Sequence, residues 1–527
     1  MRKTYSLALA AATAIVAVPI AQAANENTPI MTYLGYYSLY QTYGANLANG
    51  SNVSVAQDEA NGYLTTSDGR FSDKTLTATY TGTLTGDSHA TTVGARFFGN
   101  DTGFSQRSVA PKLGSAAGGQ SVQMYKYSEF TGAYLLNPGS AAPYGAQNNA
   151  RVASHAYNYS DFSLNFAARM DYLAQRDDYL QVVPNNDYGS MGNEFNSIVI
   201  VSNDGAISKT AAINTSGGAA TAYTAGRASP TVTAPFTGSP SDAIGQVGGV
   251  VGLLISRGKT TNSNVTYTTA STTAVTAPYT GSSFNTFTKA GYTVHSGDTS
   301  EVVKAALMAG ANRVAAGDGT LGISGISDYR ATAANQATNG LDYRWGAGMV
   351  NAANSYKIID AGETDSKEDS SSAGIKGGIG QYGFDYDQGF GGASGTNNTA
   401  TYGFTAGGSG KFYATLAWNV KIAGGTTSFD STPTLYDLDL TLTDLTAGTV
   451  TALSASTIDN TENIYTNLIA GDKYALMVST KSSPFNWDYG LAWRSDVALT
   501  PTAVPEPAAL GVVGVTAAVL LRRRRAN

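Results

Sequence analysis

"DFSLNFAARMDYLAQRDDYLQVVPNND", residues 161–187, carries two periodicities in succession, and together they decide the fold class. Phe162, Phe166, Met170 and Leu173 recur at spacings of four and three, which places them on one face of an amphipathic helix over Asp161 to Asp178. The next run, Leu180 to Pro184, is apolar, short and followed by a polar turn, as a buried parallel strand should be. A helix leading into such a strand is half of a crossover unit. "NVSVAQ", residues 52–57, reads as a second strand of the same kind. An α/β unit with a parallel sheet and helices on both faces is therefore expected from about Tyr33 to Asp360.

The same reading extends along the chain. "SGDTSEVVKAALMAGANR", residues 296–313, predicts a capped helix with a polar start at Asp298 to Ser300, Glu301 in the first turn, and Val302, Val303, Ala306, Leu307 and Ala309 on one face. Two Thr/Ala/Gly/Ser-rich stretches, Ala206 to Thr233 and Lys259 to Tyr292, lack apolar periodicity and fit long surface loops or edge hairpins. Residues 361–373, charged and serine-rich, read as a linker. Beyond it, "KFYATLAWNV", "YDLDLTLTDL", "NIYTNLIAGDKYALMVST" and "DYGLAWRSD" alternate apolar and polar positions, with Leu438, Leu440 and Leu442 facing one way and Asp439 and Thr441 the other. An antiparallel β-sandwich over residues 374–496, accessory in role, is the expectation.

Composition narrows the chemistry. Charged residues make up 13% of 527, about half the usual share, and the net charge is −6. A chain without a basic stripe is not a nucleic-acid binder. There is no cysteine, so no disulfide, thiolate metal site or cysteine nucleophile exists; a nucleophile must be an oxygen or an amine. No cofactor or metal is expected. Asp437, Asp439 and Asp444 sit at alternating strand positions without a glycine-centred loop, and fit solvated strand faces better than a calcium site.

Both ends carry addresses. Residues 1–23 read as a secretory signal peptide, with Arg2 and Lys3, an apolar run and an "AQA" cleavage pattern. Whether a propeptide is cut within Ala24 to Asn52 is left open by the sequence. At the other end, "VPEPAALGVVGVTAAVLLRRRRAN", residues 504–527, puts a short apolar stretch between a Pro-Glu-Pro turn and four arginines. It resembles the PEP-CTERM sorting tail of Gram-negative bacteria. That resemblance implies export through the inner membrane, recognition by an exosortase-type partner, a transient C-terminal anchor, and a final place at the cell surface or in the extracellular matrix.

Three histidines make the search for a catalytic base short. His155 closes a valine-containing strand and His295 precedes the capped helix, so each reads as structural. His89, in "GDSHATTVGAR", is followed by small residues that let a helix begin close beneath another element. Here the chain resembles the subtilases, the subtilisin-like serine peptidases, over most of Val53 to Asp360. "SHATTVGA" is similar to the family's His-Gly-Thr-His-Val-Ala-Gly motif with His89 at the catalytic position, and "RSVAPKLG" to its Gly-Val-Ala-Pro element. "SPSDAIGQVGGVVGLLIS", Ser239 to Ser256, resembles the nucleophile motif and the long helix behind it, with Ser241 as nucleophile. "QVVPNND" implies Asn186 as the side-chain donor to the oxyanion. "EVVKAALMAGANR" and "RWGAGMVNAANSY" are similar to the closing helices of the family's domain.

Physics supports the Ser241 segment separately. A serine in the first turn of a helix offers its own N–H to a developing oxyanion at the positive end of the helix dipole, and Gly248, Gly249 and Gly252 permit close packing beneath it.

The acid is the weakest match. The family pattern would place it at position 57, which here is Gln57, with Asp58 one residue later and Glu59 two later. Side chains alternate along a strand, so Asp58 points the wrong way unless the strand ends or bulges there, while Glu59 recovers the face with a longer reach. Asp58 is preferred to Glu59 as the expected partner of His89. Pro240, Ala90, Ile244 and Gly245 also depart from the family pattern close to the reacting centre. The expectation is an exported serine endopeptidase acting on a protein or peptide substrate. The alternative is a catalytically impaired subtilase fold that binds at the surface or in the matrix, with an extracellular polysaccharide as candidate ligand.

Overall fold

The structure, a computed structural model, describes residues 27–78, 84–100, 107–131, 150–157, 164–185, 191–202, 226–235, 240–260, 266–268, 274–276, 286–289, 292–317, 325–326, 329–370, 374–391, 397–422, 433–481 and 485–504. The expected signal peptide and nearly all of the sorting tail lie outside these residues. No helix among them is long and apolar enough to cross a membrane.

Two short helices, α1 (Asn27–Tyr33) and α2 (Tyr36–Tyr43), come first. Met31, Leu34 and Leu39 are fully buried in the main core, so this stretch is part of the folded body. The strands and helices that follow are β1 (Ser54–Glu59), β2 (Leu76–Ala78), α3 (Ser88–Phe98), β3 (Val122–Lys126), α4 (Tyr127–Phe130), β4 (Ala150–Ala156), α5 (Leu164–Asp177), β5 (Leu180–Pro184), β6 (Ile198–Ser202), β7 (Val232–Ala234) and α6 (Pro240–Gly258). Two small antiparallel pairs, β8 (Thr266–Thr268) with β9 (Ala274–Thr276) and β10 (Thr286–Lys289) with β11 (Tyr292–His295), fall almost wholly in the second Thr-rich stretch, as hairpins. The first such stretch ends in β7, a strand of the main sheet and not a loop. α7 (Ser300–Gly310) and α8 (Ala352–Ala361) complete the unit.

The seven strands β1 to β7 form one parallel sheet in the order β2-β3-β1-β4-β5-β6-β7. This is the parallel sheet with helices on both faces that the sequence led us to expect. β1 lies between β3 and β4, so the chain turns to one side after β1 and later returns to the other. Open α/β sheets bind ligands beyond the carboxyl ends of the strands at such a reversal. Glu59 is the last residue of β1.

Alternation sorts the strand side chains into two cores. Val55, Val152, Leu180, Val182, Ile198 and Ile200 pack with α3 and α6 on one face. Ala56, Ala153, Val183 and Val199 pack with Phe166, Met170 and Leu173 of α5 on the other. The helical spacing of the opening stretch is thus the contact face of α5.

The second unit is a sandwich of β12 (Tyr382–Phe390), β13 (Thr399–Ala406), β14 (Gly410–Ala417), β15 (Leu438–Asp444), β16 (Thr449–Ser454), β17 (Thr461–Leu468), β18 (Lys473–Thr480), β19 (Trp487–Ser495) and β20 (Leu499–Pro501). Its two antiparallel sheets run β12-β19-β14-β17 and β16-β15-β18-β13-β20. β20 carries the sandwich past the expected end at 496. The three aspartates weighed as strand-face residues differ in detail. Asp439 and Asp444 are buried, and Asp444 accepts from the N–H groups of Thr446 and Ala447 at 2.8 and 2.9 Å, which fixes the turn after β15.

The sandwich is packed hard against the α/β unit. Gly490 of β19 lies so close to α7 that a Cβ there would come within 2.5 Å of the Val302 nitrogen. Arg494 donates to the carbonyls of Ala309 and Ala311, and Asn419 donates to Ser300 and Glu301. The expected linker is tied down as well: Lys367 N–H donates to Thr401 O at 2.9 Å, and the Glu368 carboxylate takes both the N–H and the hydroxyl of Thr401.

Candidate active site

Asp87, in extended conformation, caps α3 by accepting from the Ala90 N–H at 2.9 Å, and this starts the helix one residue before His89. The imidazole is half-exposed, with Nδ1 2.8 Å from Oε2 of Glu59, whose side chain is 3% exposed. With Nε2 left free to act, this is how a carboxylate holds a general base in one tautomer and orientation.

Asp58 does not take that role. The pairing of β1 with β4 shifts register once, between Ser54 and Val55, and from Val55 the strand runs in regular parallel register with both neighbours through its last residue: Asp58 lies beside Tyr125 and His155, and Glu59 beside Lys126 and Ala156. Neither an early strand end nor a bulge between Val55 and Glu59 turns Asp58 round, so it points to the opposite face. There its Oδ2 meets Nδ1 of His155 at 3.1 Å, both groups being fully buried. The preference for Asp58 is corrected to Glu59.

Electrostatics separate the two pairs. Burial pushes the Glu59 carboxyl up to about 7, against the lowering pull of its contact with His89. The hydrogen bond to Glu59 holds His89 above its usual 6.5, with Asp87 and Asp242 adding to the effect through their charge. Burial drives His155 down to about 3, so its imidazole is neutral at neutral pH, and the same burial pushes Asp58 well above the ordinary carboxylate range.

Ser241 is the second residue of α6, and α6 lies alongside α3. Gly245 comes so close to α3 that a Cβ would stand 2.6 Å from Val93 O, and Gly248 meets Phe97 in the same way. His89 precedes Val93, and Ser241 precedes Gly245, by one helical turn each. The register of the two helices therefore carries His89 and Ser241 to the same end of the contact. Arg96 and Asp242 make an ion pair across it at 3.2 Å. Among the described residues no hydrogen bond yet joins His89 to Ser241; such contacts are commonly long without substrate and tighten on binding.

The first turn of α6 leaves backbone N–H groups, that of Ser241 among them, without partners inside the helix. Asn186 lies outside the described residues. Its neighbour Asn185 is fully buried and accepts from the Ser229 hydroxyl at 2.9 Å. In "RSVAPKLG", Leu113 fills the notch left by Gly252 of α6. His295 is at the start of the turn into α7, where its N–H donates to Asp298. Sequence reasoning missed Gln57, which donates to both Glu59 and the Ala90 carbonyl; its only signal was its place two residues before Glu59 on the same face. Elsewhere, Glu363, Asp365 and Asp385 bring carboxylate oxygens within 4.8 Å of one another near the start of the sandwich.

Neither a protein-family model nor a curated protein sequence matches the chain. Solved structures similar to it include the prenylagaramide maturation protease PagA, with a TM-score of 0.33 and 12% identity over 61% of this chain and 98% of that one. The MycP3 protease of a type VII secretion system gives 0.32 and 12% over 62% and 88%. A psychrophilic subtilisin-like protease, Apa1, from the Antarctic psychrotroph Pseudoalteromonas sp. AS-11 gives 0.31 and 10% over 62% and 97%.

Proposed function

We propose that the chain is an exported serine endopeptidase of the subtilisin type that hydrolyses protein or peptide substrates. The Ser241 hydroxyl attacks the scissile carbonyl while His89 Nε2 takes its proton, and His89 then returns that proton to the leaving amine. Glu59 holds the imidazole and balances the imidazolium charge. The Ser241 N–H, at the positive end of α6, and the Asn186 side chain bind the oxyanion.

The observation that carries this reading is the 2.8 Å contact between Glu59 and His89 at the start of a helix packed on the one whose first turn holds Ser241. The signal-peptide pattern at residues 1–23 and the PEP-CTERM-like pattern at residues 504–527 support a place at the cell surface or in the extracellular matrix, with exosortase-type machinery as the proposed sorting partner.

The test is labelling of the mature protein by a fluorophosphonate probe beside Ser241→Ala. Labelling of the wild type alone, with hydrolysis of a casein substrate lost by about ten-thousand-fold or more in the variant, is expected. Equal signals from both remove the peptidase and leave a surface or matrix binding protein that has kept the fold.

A further inference from the structure

Where the subtilase resemblance asks for an acid, this chain has an amide, and both N–H donors of the amide are engaged. Gln57 is 2% exposed and shares the α3 face of β1 with Glu59. Its Nε2 donates to Glu59 Oε1 at 2.7 Å and to the Ala90 carbonyl at 2.7 Å. Turned the other way, the amide would set its oxygen against two acceptors, so chemistry fixes the orientation. The remaining oxygen faces Gly94, where a Cβ would approach to 2.8 Å.

Building on the peptidase reading above, we infer that Gln57 is a positioning residue that clamps the Glu59 carboxylate onto His89 and ties it to the first turn of α3. Glu59 has a longer side chain than the aspartate that the family pattern would supply, with one more torsion to fix. Its Oε2 faces the imidazole, and Oε1 needs a donor because almost no water reaches it. A carboxylate at position 57 would instead meet Glu59 as a like charge. The amide supplies an N–H without charge, and so allows the acid to sit two residues further along the strand.

Gln57→Met keeps the shape of the side chain and removes both donors. The expected result is a fall in kcat/KM on a fluorogenic peptide at pH 7 of about tenfold, carried by kcat, with the acid limb of the profile moved to higher pH and activity largely restored at pH 9. A second readout is independent of turnover: the downfield proton resonance of His89 Nδ1–H, held by Glu59 in the wild type, should move upfield or broaden in the variant. Only three histidines are present, so the resonance is assigned by its loss in His89→Ala. If Gln57→Met does not fold, Gly94→Ala, which crowds the amide from behind, should move limb and resonance in the same directions by less.

An acid limb and a resonance that match the wild type in a folded variant overturn the clamp. Absence of fluorophosphonate labelling in the wild type overturns the peptidase reading instead, and the resonance still decides whether Gln57 holds Glu59.

Discussion

Glu59–His89 and Asp58–His155 are two carboxylate–imidazole pairs built from adjacent residues of one strand, and they have opposite characters. The first lies at the carboxyl end of β1 on the α3 face, with the imidazole half in solvent and its basicity raised. The second lies on the α5 face, walled by Phe130 and Tyr157, with neither partner reaching water and the imidazole held neutral. Composition and contact distance are nearly the same in the two. What differs is access to water, which sets the cost of charge, and charge is what a general base must carry in turn.

Several substitutions can break or sharpen this contrast. The largest effect is expected of Glu59→Gln, which keeps the shape and loses the charge: kcat/KM should fall by about a thousandfold to ten-thousandfold. Asp58→Asn should leave kcat/KM within about threefold, since it changes a pair on the face of β1 opposite to His89. The reverse ranking, measured on the same peptide, would return the acid's role to Asp58.

Gly245→Ala tests whether close packing of α6 on α3 sets the geometry of the first pair alone. Its methyl group would press on the Val93 carbonyl and shift Ser241 away from His89, with a loss in kcat of roughly a hundredfold. The environment of His155, followed by its ring resonances, should not change.

His155 offers a contrast in stability. Its folded pKa of about 3 lies below the unfolded value of 6.5, so its contribution to stability is full above 6.5 and is lost as the pH falls from there towards 3. Relative to His155→Phe, the wild type should therefore lose up to about 1.4 kcal/mol per pH unit across that window in urea unfolding. A constant difference between the two proteins would show that the imidazole does not stay neutral on folding.

The smallest effect concerns the first pair again. Asp242 raises the basicity of His89 through its charge, so Asp242→Asn should move the acid limb of kcat/KM to lower pH, with kcat on the plateau little altered. In the wild type that limb should lie above 6.5, because His89 must be neutral to accept the proton and its neighbours favour its charged form.

Much of the fold was legible because its signals are local. The spacing of Phe166, Met170 and Leu173 became the buried face of α5, and the alternation of Leu438, Leu440 and Leu442 became an inner face of the sandwich. The limits of units were less legible: β7 emerged from a stretch without apolar periodicity, and the charged linker is pinned to the sandwich by Glu368 and Thr401. Neither feature has a period to detect. The engagement of α7 by Asn419, Gly490 and Arg494 of the sandwich was not legible either, since contacts so distant in sequence leave no pattern in it.

The sequence by itself determined that any nucleophile must be an oxygen or an amine, that a histidine base could only be one of three, and that a parallel sheet would form, because residue type and period are written along the chain. Which carboxylate meets His89 was decided only in the tertiary structure. A strand with period two presents Asp58 and Glu59 to opposite faces, and the choice between them depends on whether its pairing with β3 and β4 persists to the last residue. That pairing belongs to strands up to about a hundred residues away, and it gives the site to Glu59.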